Sequence, residues 1–258
     1  MVIVFMSLIF QLKMEIFLQI LTLLLFLYRL QEKKSLKRLR LMKMSYSKVK
    51  MSRKLMKNRQ LLVMKIKRIV RMLAFIGLGN VGNNYCHTKH NFGFWVVNEF
   101  ASRRKVSFKS GKGDYIVAES PAGKEFLIAK PTGGMNMSGI PIREIKQRWN
   151  LSISDIHIVV DDVDLRLGTI RIRPRGGDGC HRGLESIIYH LGSTDFPRVR
   201  LGIGTDEKMR PAEDYVLKPF HREHQSVVET MIDIGTNALE EIIRNGIERT
   251  MTEYNRFK

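Results

Sequence analysis

The chain has 258 residues, 44% of them hydrophobic, enough for a packed core, and a net charge of +19 that invites an acidic partner. The charge is uneven: residues 1–71 hold 18 Lys/Arg against Glu15 and Glu32, a net of +16, and the remaining 26 basic and 23 acidic residues leave only +3. Two cysteines, Cys86 and Cys180, exclude a disulfide framework and point to a reducing, cytoplasmic setting.

Residues 1–71 do not read as a domain. The apolar run Ile16 to Tyr28 is 13 residues long, short of the ~20 that cross a bilayer as a helix. It is followed by a basic, methionine-rich stretch without Pro or Gly, and no small-residue cleavage site is evident. The segment is expected to be a non-globular basic extension or a misassigned start, with Met72 as the true one. Eight of the 14 methionines precede Met72. A presequence for import into an organelle is the alternative, and membrane contact is not expected.

From Met72 the texture changes. "MLAFIGLG" predicts a buried first strand running into a turn, and "FGFWVVNEFASRR" a helix with Phe94, Val97 and Ala101 on one face. "DYIVAES" and "EFLIAKP" predict two strands joined by Pro121-Ala122-Gly123, and "PIREIKQRWN" a short helix begun by Pro141. "DIHIVVDDVD" predicts a strand ending in carboxylates, and "GTIRIRPRGG" a strand with alternating arginines. "GLESIIYHLG" predicts a helix closed by Gly192, and "RVRLGIG" another strand. Helical spacing then runs from His221 to Tyr254, broken near Asn245-Gly246. Strands alternating with helices predict one α/β domain over residues 72–258, with a mixed, twisted sheet flanked by helices.

Gly77-x-Gly79-x-x-Gly82 has the spacing of a dinucleotide-binding turn. Such a turn leads directly into a helix and is followed about 20 residues on by an acid for the ribose. Here nine residues without amphipathic period follow Gly82, and the later region reads Ser102-Arg103-Arg104. The glycines are therefore expected to shape a turn that brings Asn80 and His90 to one cleft. A zinc site from Cys86, His87, His90, Cys180 and His181 lacks the spacing of a zinc finger or of an H-E-x-x-H helix.

Four ordered stretches, "GLGNVGNNYCHTKHNFGF", "KPTGGMNMSG", "VVDDVDLRLGTIRIRPRGGDGCHRGLESII" and "FPRVRLGIG", together resemble the motifs of bacterial-type peptidyl-tRNA hydrolases, from Met72 nearly to Lys258. The resemblance implies a cytoplasmic monomer that hydrolyses the ester between a peptide and the 3′ ribose of tRNA, recycling tRNA from aborted translation without metal or cofactor. It places His90 as the base on water and Asp161, at a strand's C-terminal end, as its orienting carboxylate. It further places Asn80, Asn136 and Tyr85 around the peptide and the tRNA 3′ end. Arg171, Arg173 and Arg175 alternate along one predicted strand, and Arg198 and Arg200 along another. With the resemblance, Arg171, Arg173, Arg175 and Arg200 read as phosphate contacts, which carry little sequence readout.

The chain departs from the family pattern at Val81, where a proline is usual, and at Lys89, where an arginine is usual. Gly133-Gly134 replace a threonine and an aromatic, Cys180 replaces a glycine, and Arg182 replaces an asparagine. Arg182 is thereby a candidate for binding tRNA phosphate or the peptide carbonyl. The departures leave one alternative: a catalytically weak relative that serves as an RNA-binding or RNA-processing partner.

Overall fold

In a computed structural model of the chain, which describes residues 72–121 and 125–256, a strand that is buried on both faces lies in the middle of a seven-stranded sheet. The readings of residues 1–71 fall outside the described residues. The central strand is β1 (Leu73–Gly77). Phe75 points into a core on one face, while Ala74 and Ile76 point into a second core on the other. A strand with period-two side chains and helices on both faces must be apolar throughout, which is why "LAFIG" carries no polar residue. Full burial of a side chain such as Phe75 or Ile76 contributes roughly 1.5–3 kcal/mol.

The helix after β1 is α1 (Phe92–Arg103). It is followed by β2 (Lys109–Ser110), β3 (Tyr115–Glu119) and β4 (Phe126–Pro131). Next come α2 (Gly139–Arg148), β5 (Ile156–Arg166), β6 (Ile170–Arg173), α3 (Arg182–Leu191) and β7 (Arg198–Gly204). The chain closes with α4 (Ala212–Val216), α5 (Gln225–Asn245) and α6 (Ile247–Tyr254). Strand order is β2-β3-β4-β1-β5-β7-β6, with β4, β1, β5 and β7 parallel and the edges antiparallel. This is the mixed α/β sheet expected from the sequence.

Helices α1 and α5 cover one face through Phe92, Val96, Phe100, Met231 and Leu239. On the other, α2 and α3 pack Ile142, Ile145, Leu184 and Ile187. Because α1 and α2 leave the parallel strands toward opposite faces, a crevice opens at their C-terminal ends, where α/β sheets bind ligands. The edge strand β6 is closed by one side chain. Asn255 accepts from the Ile172 N–H and donates to its carbonyl, at 2.8 and 3.0 Å, which occupies the free edge. Among the described residues, no helix is long and apolar enough to cross a membrane.

Three expected boundaries differ. Helix α2 begins at Gly139, two residues before Pro141. Strand β6 stops at Arg173, so Arg175 lies beyond it in the loop. Strand β5 does not end at its carboxylates: it runs on to Arg166, through a register shift after Asp162, because β7 continues to pair with it. Asp161 is nonetheless beyond the end of β1, whose last partner on β5 is Val159.

Candidate active site

The turn after β1 is built by close approach of backbone to backbone. A Cβ on Gly77 would lie 2.6 Å from the Gly93 carbonyl oxygen, and one on Gly93 2.3 Å from that of Val159. Both positions require glycine so that the start of α1 can sit against the strand ends. As expected, no helix follows Gly82 directly: a single 3-10 turn, Lys89–Asn91, precedes α1. Arg103 pairs with Glu99 and Asp233, and Arg104 with Glu125, so both guanidiniums are committed to carboxylates outside the cleft lining.

The 3-10 turn delivers His90 to the crevice. Its Nδ1 lies 3.0 and 2.9 Å from the two carboxylate oxygens of Asp161, which is buried. A carboxylate accepts, so Nδ1 carries the proton and Nε2 presents its lone pair to the cleft, which His90 lines. Burial alone would lower the His90 pKa; the charge of Asp161 and its hydrogen bond outweigh that, and the pKa is raised. Burial likewise opposes ionisation of Asp161, yet His90 and His181 together hold its carboxyl well below the usual range.

His181 is the second partner of that carboxylate, its Nε2 3.2 Å from Asp161 Oδ1. It also caps α3: its Nδ1 accepts from the backbone N–H groups of Gly183 and Leu184, at 3.1 and 3.3 Å. With Nδ1 accepting, Nε2 is the protonated nitrogen and donates to Asp161. The His90 and His181 rings stand 4.8 Å apart, tilted by 48°. The ligand atoms of His90, Asp161 and His181 lie within 4.8 Å of one another, the only such group of three among the described residues. The donor set suits a cation poorly, because one lone pair of His181 is taken by the helix terminus and its other nitrogen carries a proton. Cys86 and Cys180 are exposed and stand outside this group.

Asn80 sits beside His90 on the cleft wall. Its backbone is clasped by Asn91, which accepts from Asn80 N–H at 2.7 Å and donates to Asn80 carbonyl at 2.9 Å. Its own Oδ1 accepts from Met135 N–H at 3.0 Å, so its amide NH₂ is left for the cleft. Asn136 lines the same cleft but is exposed, and beside it Gly134 offers no side-chain wall. Tyr85 is exposed on the turn and is not among the lining residues.

The cleft has a volume of about 560 Å³. Arg173, Arg175, Arg198 and Arg200 form one side. Arg173 pairs in register with Arg198, and Arg171 with Arg200, so like charges face each other across β6 and β7. Arg200 is balanced by Asp162. Arg198 is buried, and desolvation with Arg200 nearby pushes its pKa down to about 10. Arg171 is not brought to the cleft: its guanidinium donates to the Asn255 carbonyl. Arg182, the first residue of α3, lines the cleft and pairs with Glu213 of α4. The facing wall, Ala212, Glu213, Val216 and Leu217, comes from α4 and the residue after it.

Residues 74–258 match the family model described as "Peptidyl-tRNA hydrolase". The chain is 39% identical over 188 residues to the peptidyl-tRNA hydrolase of Syntrophomonas wolfei, which covers 71% of this chain and all of that protein. It is 37% identical over 186 residues to that of Geobacillus kaustophilus, again over 71% of this chain and all of the relative. Among solved structures, the Acinetobacter baumannii peptidyl-tRNA hydrolase superposes with a TM-score of 0.68 at 28% identity, covering 74% of this chain and 97% of that one. Whole relatives thus align with the segment that builds the cleft, and the chain belongs to the peptidyl-tRNA hydrolase family.

Proposed function

We propose that the chain hydrolyses the ester joining a peptide to the 3′ ribose of tRNA, with His90 as general base. The observation that carries this reading is the pairing of His90 Nδ1 with Asp161, which leaves Nε2 unprotonated at the cleft. A water held there gives its proton to Nε2 as its oxygen attacks the ester carbonyl carbon. Asp161 stabilises the imidazolium that forms. The NH₂ of Asn80, and that of Asn136, are assigned as neutral donors to the developing oxyanion. As the ester C–O bond breaks, the imidazolium returns its proton to the departing ribose oxygen, which yields free tRNA and a peptide carboxylic acid that loses its proton to solvent.

The arginine side of the cleft suits the acceptor-end phosphates, with Arg173, Arg175 and Arg200 as contacts and Arg182 at the mouth. Tyr85 is assigned to the tRNA 3′ end outside the cleft proper, and Arg171 to holding Asn255. No step draws on a cofactor or a metal. A monomer working in the cytoplasm, where translation supplies the substrate, completes the reading.

A second reading rests on Arg182: where an asparagine is usual, its guanidinium is tied to Glu213 across the cleft. A relative that binds RNA without turnover would fit that arrangement. Single turnover of an N-blocked aminoacyl-tRNA in ¹⁸O-water separates the two. Label in the carboxylate of the released acyl group supports hydrolysis by water at the carbonyl. Tight binding without release would overturn it in favour of the binding relative.

A further inference from the structure

We infer that Lys89 is a positioning residue for the substrate cleft, tying the turn that carries His90 to the opposite wall built by α4 and Leu217. It rests on the reading of this cleft as the substrate site. Lys89 is fully buried, an unusual place for an ammonium group. Among the described residues it pairs with no carboxylate: its Nζ donates to the Pro219 carbonyl at 2.9 Å. The same ammonium lies 4.2 Å from the centroid of the Tyr215 ring and 5.5 Å from that of Phe220. Its backbone N–H donates to the Lys218 carbonyl at 3.0 Å, and Thr88 forms an isolated antiparallel bridge with Pro219.

Every one of these contacts joins residues 88–89 to residues 215–220. Tyr215 belongs to α4, whose Ala212, Glu213 and Val216 line the cleft, and its hydroxyl is anchored to the Ile203 carbonyl on β7 at 2.6 Å. Phe220 packs edge-on against Phe92 at the start of α1. Helix α4 has only five residues and cannot hold its own position. The Tyr215 hydroxyl ties it to β7, and the buried ammonium adds the tether to the turn of His90, stacking on the same aromatic ring and donating to the Pro219 carbonyl. Desolvation lowers the Lys89 pKa, more than the charge of Glu207 raises it, with Lys218 adding to the lowering. His90 is held separately by Asp161 on β5, so loosening the wall changes substrate fit while leaving the base in place.

The test is steady-state hydrolysis of an N-blocked aminoacyl-tRNA by the full chain, with Lys89→Met, Lys89→Arg and Tyr215→Leu. Methionine keeps the apolar stem but removes the donor to the Pro219 carbonyl and the cation over the Tyr215 ring; KM is expected to rise about tenfold with kcat within about twofold. The midpoint of the kcat–pH profile stays at the wild-type value. Arginine, which can donate to the carbonyl and stack on the ring, restores KM. Tyr215→Leu removes the other half of the clamp and gives the same rise in KM, which decides the matter should Lys89→Met fail to fold. Unchanged KM in the folded variants overturns the inference, as does a shifted pH midpoint with KM unmoved. Absence of turnover in the wild type overturns the hydrolase reading, and the inference with it.

Discussion

His181 donates to Asp161 because its other nitrogen is committed to the first turn of α3. One imidazole therefore ties the helix that forms one side of the cleft to the carboxylate that orients His90. The two jobs separate by substitution. Asparagine is a good helix N-cap but is too short to reach both the helix and the carboxylate. His181→Asn is expected to keep nearly the wild-type melting temperature while slowing hydrolysis about tenfold, whereas His181→Ala loses both rate and about 1 kcal/mol of stability. Paired thermal melts and initial rates check this.

His90 must be neutral to accept a proton, and its pKa is raised. The acid limb of kcat/KM therefore has its midpoint above the ordinary ~6.5. Asp161→Asn removes the charge that raises it and leaves the burial that lowers it. The limb then moves to lower pH while the plateau rate falls by about 10²–10⁴-fold. A pH–rate series on both proteins reads the two shifts. Stability carries the same sign: the His90 contribution is full below ~6.5 and is lost as pH rises through its raised pKa. That loss is absent from Asp161→Asn.

Cys180 stands where the family usually has glycine, and its φ is +60°. A side chain in the left-handed region is strained by roughly 1–2 kcal/mol, partly offset in a Gly variant by the greater freedom of the unfolded chain. Cys180→Gly is expected to raise unfolding stability by about 0.5–1 kcal/mol. Urea titration measures it, and the rate of hydrolysis should not change.

The arginines divide by location. Arg173 and Arg175 line the cleft, and removing either is expected to weaken tRNA binding and reduce the slope of log K against log salt by roughly 0.7–0.9. Arg171, turned toward Asn255, should leave that slope unchanged and instead lower the melting temperature. Filter binding across a salt series separates the two classes.

Much of this fold was legible because burial on both faces leaves apolar runs: β1 and β4 announce themselves by composition, and α3 by its period and the glycine at φ +63° that ends it. The short elements were not legible. Strand β2 is two exposed residues, Lys109 and Ser110, and α4 is one turn and a half, too short for a periodic signal. The extent of β5 past Asp161 depends on β7, a partner distant in sequence. At the site, His90, Asp161, Asn80 and Asn136 were reached through the family motifs, and the cleft gathers all four. His181 entered only as a possible zinc ligand, since nothing in "GCHRG" reveals a histidine that caps a helix and reaches a strand at once. Asn91, directly before α1, holds Asn80 instead of capping the helix. Arg171 shares its alternation with Arg173, and only the position of Asn255 separates their fates.

The most direct measurement follows acyl release from an N-blocked aminoacyl-tRNA by the full chain and by His90→Ala, with tRNA binding measured in parallel. Rapid release by the wild type, a collapse of about 10²-fold or more in the variant and unchanged binding are the expected results. Equal release by both proteins would contradict the role of His90 as base, and binding without release in either would contradict hydrolysis itself.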